Sequence, residues 1–210
     1  SRNMSEYVTQ TGNTVAFNSV DLAARVEGYL DAINFVDGTT VKQGETLFVI
    51  EPEPYQAKLK EAEASLAAQQ ALHTYDALEY IRQKKMYKQN ATSRSNVEKW
   101  LAKSEQSTAE VEKAKENLII AQINYSYTHV KAPFDGRIGR HLVDKGNLVG
   151  HGVATTLATV DQINPIYVYF NLNEIDLILL RDSVKDQEID EKVIRQVPVE
   201  IKLPSGKNYK

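Results

Sequence analysis

Between Tyr55 and Thr128 the sequence contains neither glycine nor proline, although the rest of the 210-residue chain holds 10 and 6. These two residues interrupt helix interiors more strongly than any others, so the span reads as continuous helix. Pro52 and Pro54 close off what precedes it and suit a helix start, where a missing N–H costs nothing. Ala, Leu, Glu, Lys and Gln dominate from Tyr55 onward, the residues of best helix propensity. The single cluster of turn and cap residues runs from Asn90 to Ser95. Two antiparallel arms are therefore expected, the second beginning near Asn96. Ser95 and Glu98 have capping-box spacing, and Ser93 is an alternative N-cap.

The second arm has a heptad seam. Val97, Ser104, Val111, Leu118 and Tyr125 recur every seven residues, with Trp100, Ser107, Ala114, Ala121 and Thr128 as the companion row. In the first arm, Leu59, Ala62 and Leu66 start a seam that Leu72, Tyr75 and Leu78 continue out of register, which reads as a stutter. Small residues at many seam positions suit close helix packing. Each arm is about 50 Å long at 1.5 Å per residue. A pair of that length is expected to project from the domain rather than fold into it. Too few apolar residues remain to cover a second face, which argues against an internal pair of an ordinary helical bundle.

The flanking segments have a different grammar. Residues 21–51 alternate short β-prone pieces with turns at Glu27-Gly28, Asp37-Gly38 and Gln43-Gly44, and residues 129–160 repeat the pattern. Gly28 to Gly38 and Gly136 to Gly146 both span ten residues; Gly38 to Gly44 and Gly146 to Gly152 both span six. Val41 and Val149 each follow a matched glycine by three. Leu47 and Ile50 correspond to Leu157 and Val160 after a two-residue insertion. Four spacings in order identify an internal repeat with the helical arms inserted between its copies. Neither copy can bury an apolar face alone, so the two are expected to pack as one two-sheet sandwich.

Outside the repeat, residues 5–20 read as extended with a turn at Thr11-Gly12-Asn13. Ile166, Val168, Phe170 and Leu172 alternate with Tyr167, Tyr169 and Asn171, the pattern of a half-buried strand. Asn173 caps a short helix from Glu174 to about Asp182, a charged segment runs from Lys185 to Arg195, and Val197 to Leu203 reads as a further strand. Together with the N-terminal strand these suggest part of a β-barrel. The fold class that results is α+β, elongated and multidomain: a split lipoyl/biotinyl-like β-sandwich interrupted by a long antiparallel coiled-coil hairpin, plus part of a β-barrel. The expected domains are 1–20 with 163–210 for the barrel, 21–53 with 129–162 for the sandwich, and 54–128 for the hairpin.

Composition excludes more than it identifies. A net charge of −3 with no basic stripe argues against nucleic-acid binding. The absence of cysteine removes disulfides and thiolate metal sites. No apolar run approaches the roughly 20 residues of a membrane span, and no signal peptide is present. Ser1-Arg2-Asn3-Met4 reads as a cloning remnant, and the chain as a fragment that stops where a strand is due. His73, His129, His141 and His151 lack metal-ligand spacing, and without a G-x-S-x-G or P-loop pattern nucleophilic and nucleotide chemistry have no candidate. Glu61, Glu63, Glu110 and Glu112 lie among lysines and read as solvated helix pairs rather than acid/base dyads. No cofactor is expected.

The order of these parts, with Val26-Glu-Gly-Tyr-Leu30, Val41-Lys-Gln-Gly44, Glu51-Pro-Glu-Pro-Tyr55, Lys131-Ala-Pro-Phe-Asp-Gly-Arg137, Ile166-Tyr-Val-Tyr-Phe170 and Asn173-Glu-Ile-Asp176, resembles the periplasmic adaptors, or membrane fusion proteins, of tripartite efflux pumps. The resemblance is nearest to adaptors of resistance-nodulation-division (RND) transporters within the HlyD-like secretion protein superfamily. It implies a non-catalytic protein of the periplasm, associated with the inner membrane of a Gram-negative bacterium. Its partners would be an inner-membrane transporter, an outer-membrane channel and further copies of itself, arranged as a ring in the form of a hexamer or trimer of dimers. The family's tip motif, an Arg, a Leu four residues on and a Ser seven beyond, falls on Arg82, Met86 and Ser93, with Met replacing Leu. The resemblance implies that these three contact the channel; otherwise they are a solvated Arg, a seam filler and a plain N-cap. Adaptors of ABC-type exporters or type I secretion systems share the domain grammar and remain an alternative. A lipoyl or biotinyl carrier domain bears its modified Lys on a tight turn between its halves, where this chain has the helical arms instead.

Overall fold

The computed structural model describes residues 9–152, 154–175 and 200–202. The chain divides into a unit of residues 16–166 and one formed by 1–15 with 167–210. In chain order the elements are β1 (Gly12–Ala23), β2 (Gly28–Ile33), β3 (Thr40–Val41), β4 (Thr46–Ile50), α1 (Glu53–Lys88), α2 (Arg94–Tyr127), β5 (His129–Lys131), β6 (Gly136–Ile138), β7 (Leu148–Val149) and β8 (Thr156–Phe170). The strands form two four-stranded sheets, ordered β1-β8-β6-β3 and β5-β4-β2-β7.

The repeat seen in the glycine spacing is a repeat of hydrogen bonding. Within each half a hairpin-like antiparallel pair forms, β2 with β4 and β6 with β8. Each half then lends its short middle strand to the other. β3 pairs with β6 through Thr40–Arg137 and Val41–Gly136. β7 pairs with β2 through the equivalent Leu148–Tyr29 and Val149–Gly28. The loops obey the same relation: Asn34 N–H donates to Leu47 O and Leu142 N–H to Leu157 O, both at 2.8 Å. That match requires the two-residue insertion inferred from the sequence. The turn glycines agree as well, with positive φ at Gly38 and Gly146 and again at Gly44 and Gly152.

The core between the sheets follows from this pairing. Leu30 and Ile138, Val41 and Val149, Leu47 and Leu157, and Ile50 and Val160 are equivalent positions, all at most 1% exposed. Symmetry fails at Phe48, whose equivalent is Ala158; both are fully buried, so a large residue from one half is accommodated by a small one from the other. Phe35 meets the Phe48 ring edge-on, with centroids 5.1 Å apart.

The two long helices are anchored where they leave and re-enter this core. Ile50 N–H donates to Thr128 O at 2.8 Å, so the last residue of β4 and the cap of α2 are adjacent. Tyr55 Oη donates to Glu27 O at 2.7 Å, and Arg25 lies 5.1 Å above the Tyr127 ring. Along the pair, contacts run in opposite senses: His73 Nδ1 to Ser107 Oγ at 3.2 Å, Asp76 to Lys103 at 3.8 Å, Gln83 Oε1 to Thr92 Oγ1 at 3.0 Å. The helices are therefore antiparallel neighbours.

On α2 and its cap, all ten expected seam positions are buried or half-buried. On α1 the expectation of a stutter is wrong. The row that starts with Leu59, Ala62 and Leu66 keeps its heptad spacing through Gln69, His73, Asp76, Tyr80 and Gln83, all buried or half-buried. Leu72, Tyr75 and Leu78 remain 48%, 55% and 57% exposed. Here polar side chains, His73 and Asp76 among them, occupy the inner face, and Leu72, Tyr75 and Leu78 are the more exposed. A hydrophobic pattern alone points the wrong way.

Two further expectations are corrected. Thr11-Gly12-Asn13 forms no turn, since Gly12 opens β1; a Cβ there would meet Tyr169 O at 2.8 Å, so glycine admits a close backbone neighbour. The strand expected from Ile166 is the end of β8, which begins at Thr156 and stops at Phe170, before Asn171 and Leu172. Glu174 and Ile175 are helical. The rest of that helix, the 185–195 segment and most of 197–203 lie outside the described residues.

Two loop contacts tie the halves of the sandwich and are testable. Gly150 has φ +73°, and a Cβ there would collide with Val26 O; Gly44 has φ +80° with open space around it. Gly44→Ala is expected to cost about 1–2 kcal/mol, the left-handed penalty alone. Gly150→Ala adds a clash with backbone and should roughly double that loss in chemical unfolding. His141 Nδ1 lies 2.8 Å from Asp37 Oδ1, and its Nε2 3.6 Å from Asp144. The hydrogen bond to Asp37 raises the imidazole above its usual 6.5 and lowers the Asp37 carboxyl below 3.8. The imidazole's contribution to stability is thus complete below the ordinary histidine pKa and lost as pH rises through its raised value. The carboxylate's contribution is present above the ordinary aspartate pKa and lost as pH falls through its lowered value. An NMR titration should find His141 above 6.5 and Asp37→Asn should bring it down.

Candidate functional site

The end of the helical pair farthest from the sandwich is a five-residue turn, Gln89 to Ser93. α1 is stopped by Asn90, which adopts φ 55°. Asn90 N–H donates to Tyr87 O at 3.0 Å, and Ala91 N–H to Met86 O at 2.9 Å. These two bonds are those of a Schellman motif, with asparagine in the left-handed position usually held by glycine. Ser93 then starts α2: its backbone is extended and its hydroxyl accepts from Asn96 N–H at 3.3 Å. The capping-box alternative at Ser95 is not used, because α2 has already begun at Arg94. The Arg94 guanidinium instead donates to Glu98 at 2.7 Å on the outer face.

The three residues singled out by the sequence are distributed as follows. Arg82 lies two turns below the end of α1, with 65% of its side chain exposed, and donates to Glu79. Met86 is half-buried and supplies the carbonyl that closes the Schellman motif. Ser93 is exposed and is the N-cap. All three belong to the turn end, but no hydrogen bond joins one to another: each has a local structural task. Glu79 was missed by sequence reasoning. It is 8% exposed, although a glutamate amid lysines and tyrosines reads as solvated. The break expected to begin at Asn90 does so, and its left-handed backbone is what stops α1.

Among the described residues no group of three or more His, Asp and Glu is placed to hold a metal ion, and no helix is long and apolar enough to cross a membrane. His129, in β5, stacks near Tyr125 with its Nδ1 2.8 Å from Thr128 Oγ1. Glu110 and Glu112 pair with Lys113 and Lys115 one turn on.

The strand arrangement and inserted helices can be compared with known proteins. The family model for the barrel-sandwich hybrid domain of RND membrane fusion proteins matches residues 18–161. The chain belongs to the RND membrane fusion protein family. Multidrug resistance protein MdtA of Proteus mirabilis is 34% identical over 172 residues, which are 82% of this chain and 42% of that protein. MdtA of Yersinia pseudotuberculosis is 32% identical over 194 residues, 92% of this chain and 43% of that protein. This membrane fusion protein chain thus spans less than half the length of these relatives. Among solved structures, a MacA-MexA chimeric protein containing the Pseudomonas aeruginosa MexA alpha-hairpin domain aligns with a TM-score of 0.53 at 28% identity. It covers 80% of this chain and 56% of the chimera.

The cap assignment is checked by substitution. Ser93→Ala is expected to destabilise the chain by about 1 kcal/mol, while Ser93→Asp retains the cap and most of the stability. Thermal unfolding followed by circular dichroism at 222 nm reads both.

Proposed function

We propose that this chain is the central part of a periplasmic adaptor that links an inner-membrane RND transporter to an outer-membrane channel for multidrug export. The observation that carries the reading is the insertion of a 36-residue and a 34-residue helix between two strand-exchanged half-domains. A hairpin leaving and returning through Ile50 and Thr128 sets its turn about 50 Å along the helices from its anchor. The family match and the multidrug-resistance relatives support that use of the arm.

In this reading residues 54–128 are a coiled-coil hairpin, 21–53 with 129–162 a lipoyl-like domain, and 1–20 with 163–210 part of a β-barrel that faces the transporter side. Several copies assemble as a ring in the periplasm against the inner membrane. The adaptor works without catalysis, by presenting a preformed tip. Arg82, Met86 and Ser93 form the tip contact with the channel: a cation on the outer face, a flexible apolar side chain, and a hydroxyl at the turn.

The test measures binding of the chain, clustered on a multivalent scaffold, to outer-membrane channels of its host. Arg82→Asp is expected to weaken binding at least about tenfold, as loss of a charged interface contact does. Because Arg82 also serves buried Glu79, helix content and melting temperature must be followed beside it. Binding that survives Arg82→Asp with the helices intact removes Arg82 from the contact. No binding by the clustered parent chain removes the channel as partner.

A further inference from the structure

The seam of the helical pair changes character along its length. Near the sandwich it is apolar: Leu59, Ala62 and Leu66 on α1 lie on the inner face with Val111, Ala114 and Leu118 on α2. Near the turn it is mixed: Tyr80, Met86, Val97 and Trp100 are half-buried beside buried Glu79 and the hydrogen bond between Thr92 and Gln83. Between these two stretches, His73 lies against Ser107, and Asp76, one turn on, lies level with Lys103 and Ser104.

The middle stretch is weakly held. The hydroxyls of Ser107 and Thr108 donate back to Ser104 O within their own helix, at 3.1 and 2.8 Å. His73 Nδ1 lies 3.2 and 3.4 Å from the same two hydroxyls. Asp76 is 2% exposed, and its Oδ1 is buried without a hydrogen bond. The nearest cation is Lys103 Nζ at 3.8 Å, which also lies 4.7 Å above the Trp100 ring. A buried carboxylate so poorly satisfied opposes closure of the pair at that level. Of the neighbouring apolar residues, Leu72 and Leu78 are exposed, and Tyr75, 55% exposed, meets α2 only through the edge of the Trp100 ring, with centroids 6.1 Å apart.

We propose that the layer of His73, Asp76, Ser104 and Ser107 is a built-in opening point, at which the turn-side half of the helical pair separates from its partner as one cooperative unit while the sandwich-side half stays closed. Helices open locally where apolar contact is least, and this layer places such a minimum in the middle of the arm rather than at its end. The opening is a property of this chain alone and does not depend on what the turn end meets.

Hydrogen exchange read by mass spectrometry on the whole chain tests this, with Asp76→Leu as the decisive variant. In the parent, amides of residues 76–88 and 94–103 should exchange together, at least about tenfold faster than those of 59–69 and 109–121. Asp76→Leu should slow the turn-side amides about tenfold and leave the sandwich-side amides unchanged. Thr74→Leu, on the exposed face two residues away, makes a similar gain in helix propensity and should slow them less than about threefold. Three results overturn the proposal: exchange that rises smoothly toward the turn and ignores Asp76→Leu, which is end fraying; equal slowing of both halves; or equal effects of Asp76→Leu and Thr74→Leu.

Discussion

The reciprocal exchange of β3 and β7 is the constraint on which the rest of the chain depends. Each is only two residues long and pairs with the other half rather than its own. Neither half-domain has a complete sheet without the other, and neither closes a core, because Val41 and Val149 are delivered by the exchanged strands. The helical insertion separates the halves in sequence by more than seventy residues, yet the exchange brings its two ends into direct contact at Ile50 and Thr128. A loop of that length is a modest entropic cost once its ends are fixed, and here much of it is ordered helix.

The exchange also explains how a small domain can hold long helices. Thr128 is fully buried, its hydroxyl donates to Tyr125 O at 2.6 Å, and its carbonyl accepts from β4. Tyr55 and Tyr127 pack on the core from the two helices. The base of the pair is therefore continuous with the sandwich interior, whereas among the described residues contact farther along comes from the other helix. Packing on the core gives way to helix-on-helix packing along the arm, and the polar layer interrupts that packing midway.

The sandwich was legible in the sequence because glycine spacing encodes backbone geometry. The same turns recur at Gly38 and Gly146 and at Gly44 and Gly152, and that is how the repeat was found. The seam of α2 was legible for a related reason, since its heptads carry apolar or small residues throughout. The seam of α1 was not. Reading it by hydrophobicity selects Leu72, Tyr75 and Leu78, while the structure buries His73, Asp76 and Glu79. The inner face there is set by the register with α2, which brings His73 to Ser107 and Asp76 to Lys103, and no pattern within α1 alone reveals that register. The turn shows the same division: Ser93 was readable as one of two caps, but choosing it over Ser95 needed the extended backbone at Ser93 and the first turn at Arg94.

The turn end is also too small to bind tightly alone. A stable protein interface buries roughly 800 Å² on each partner, from twenty or more residues, whereas the turn is five residues between two helix ends. In the proposed adaptor, affinity would come from several arms engaging at once, and the gain would depend on whether their geometry permits simultaneous contact. Two requirements then pull against each other. Direction must be fixed at the base, where core packing and strand exchange provide it. Fit must be adjustable near the turn, where a few residues of one arm meet a surface set by others. A polar layer in the middle of the arm separates these tasks within one continuous pair of helices. It does so at a cost in stability that the apolar alternative on the outer face of α1 would have avoided.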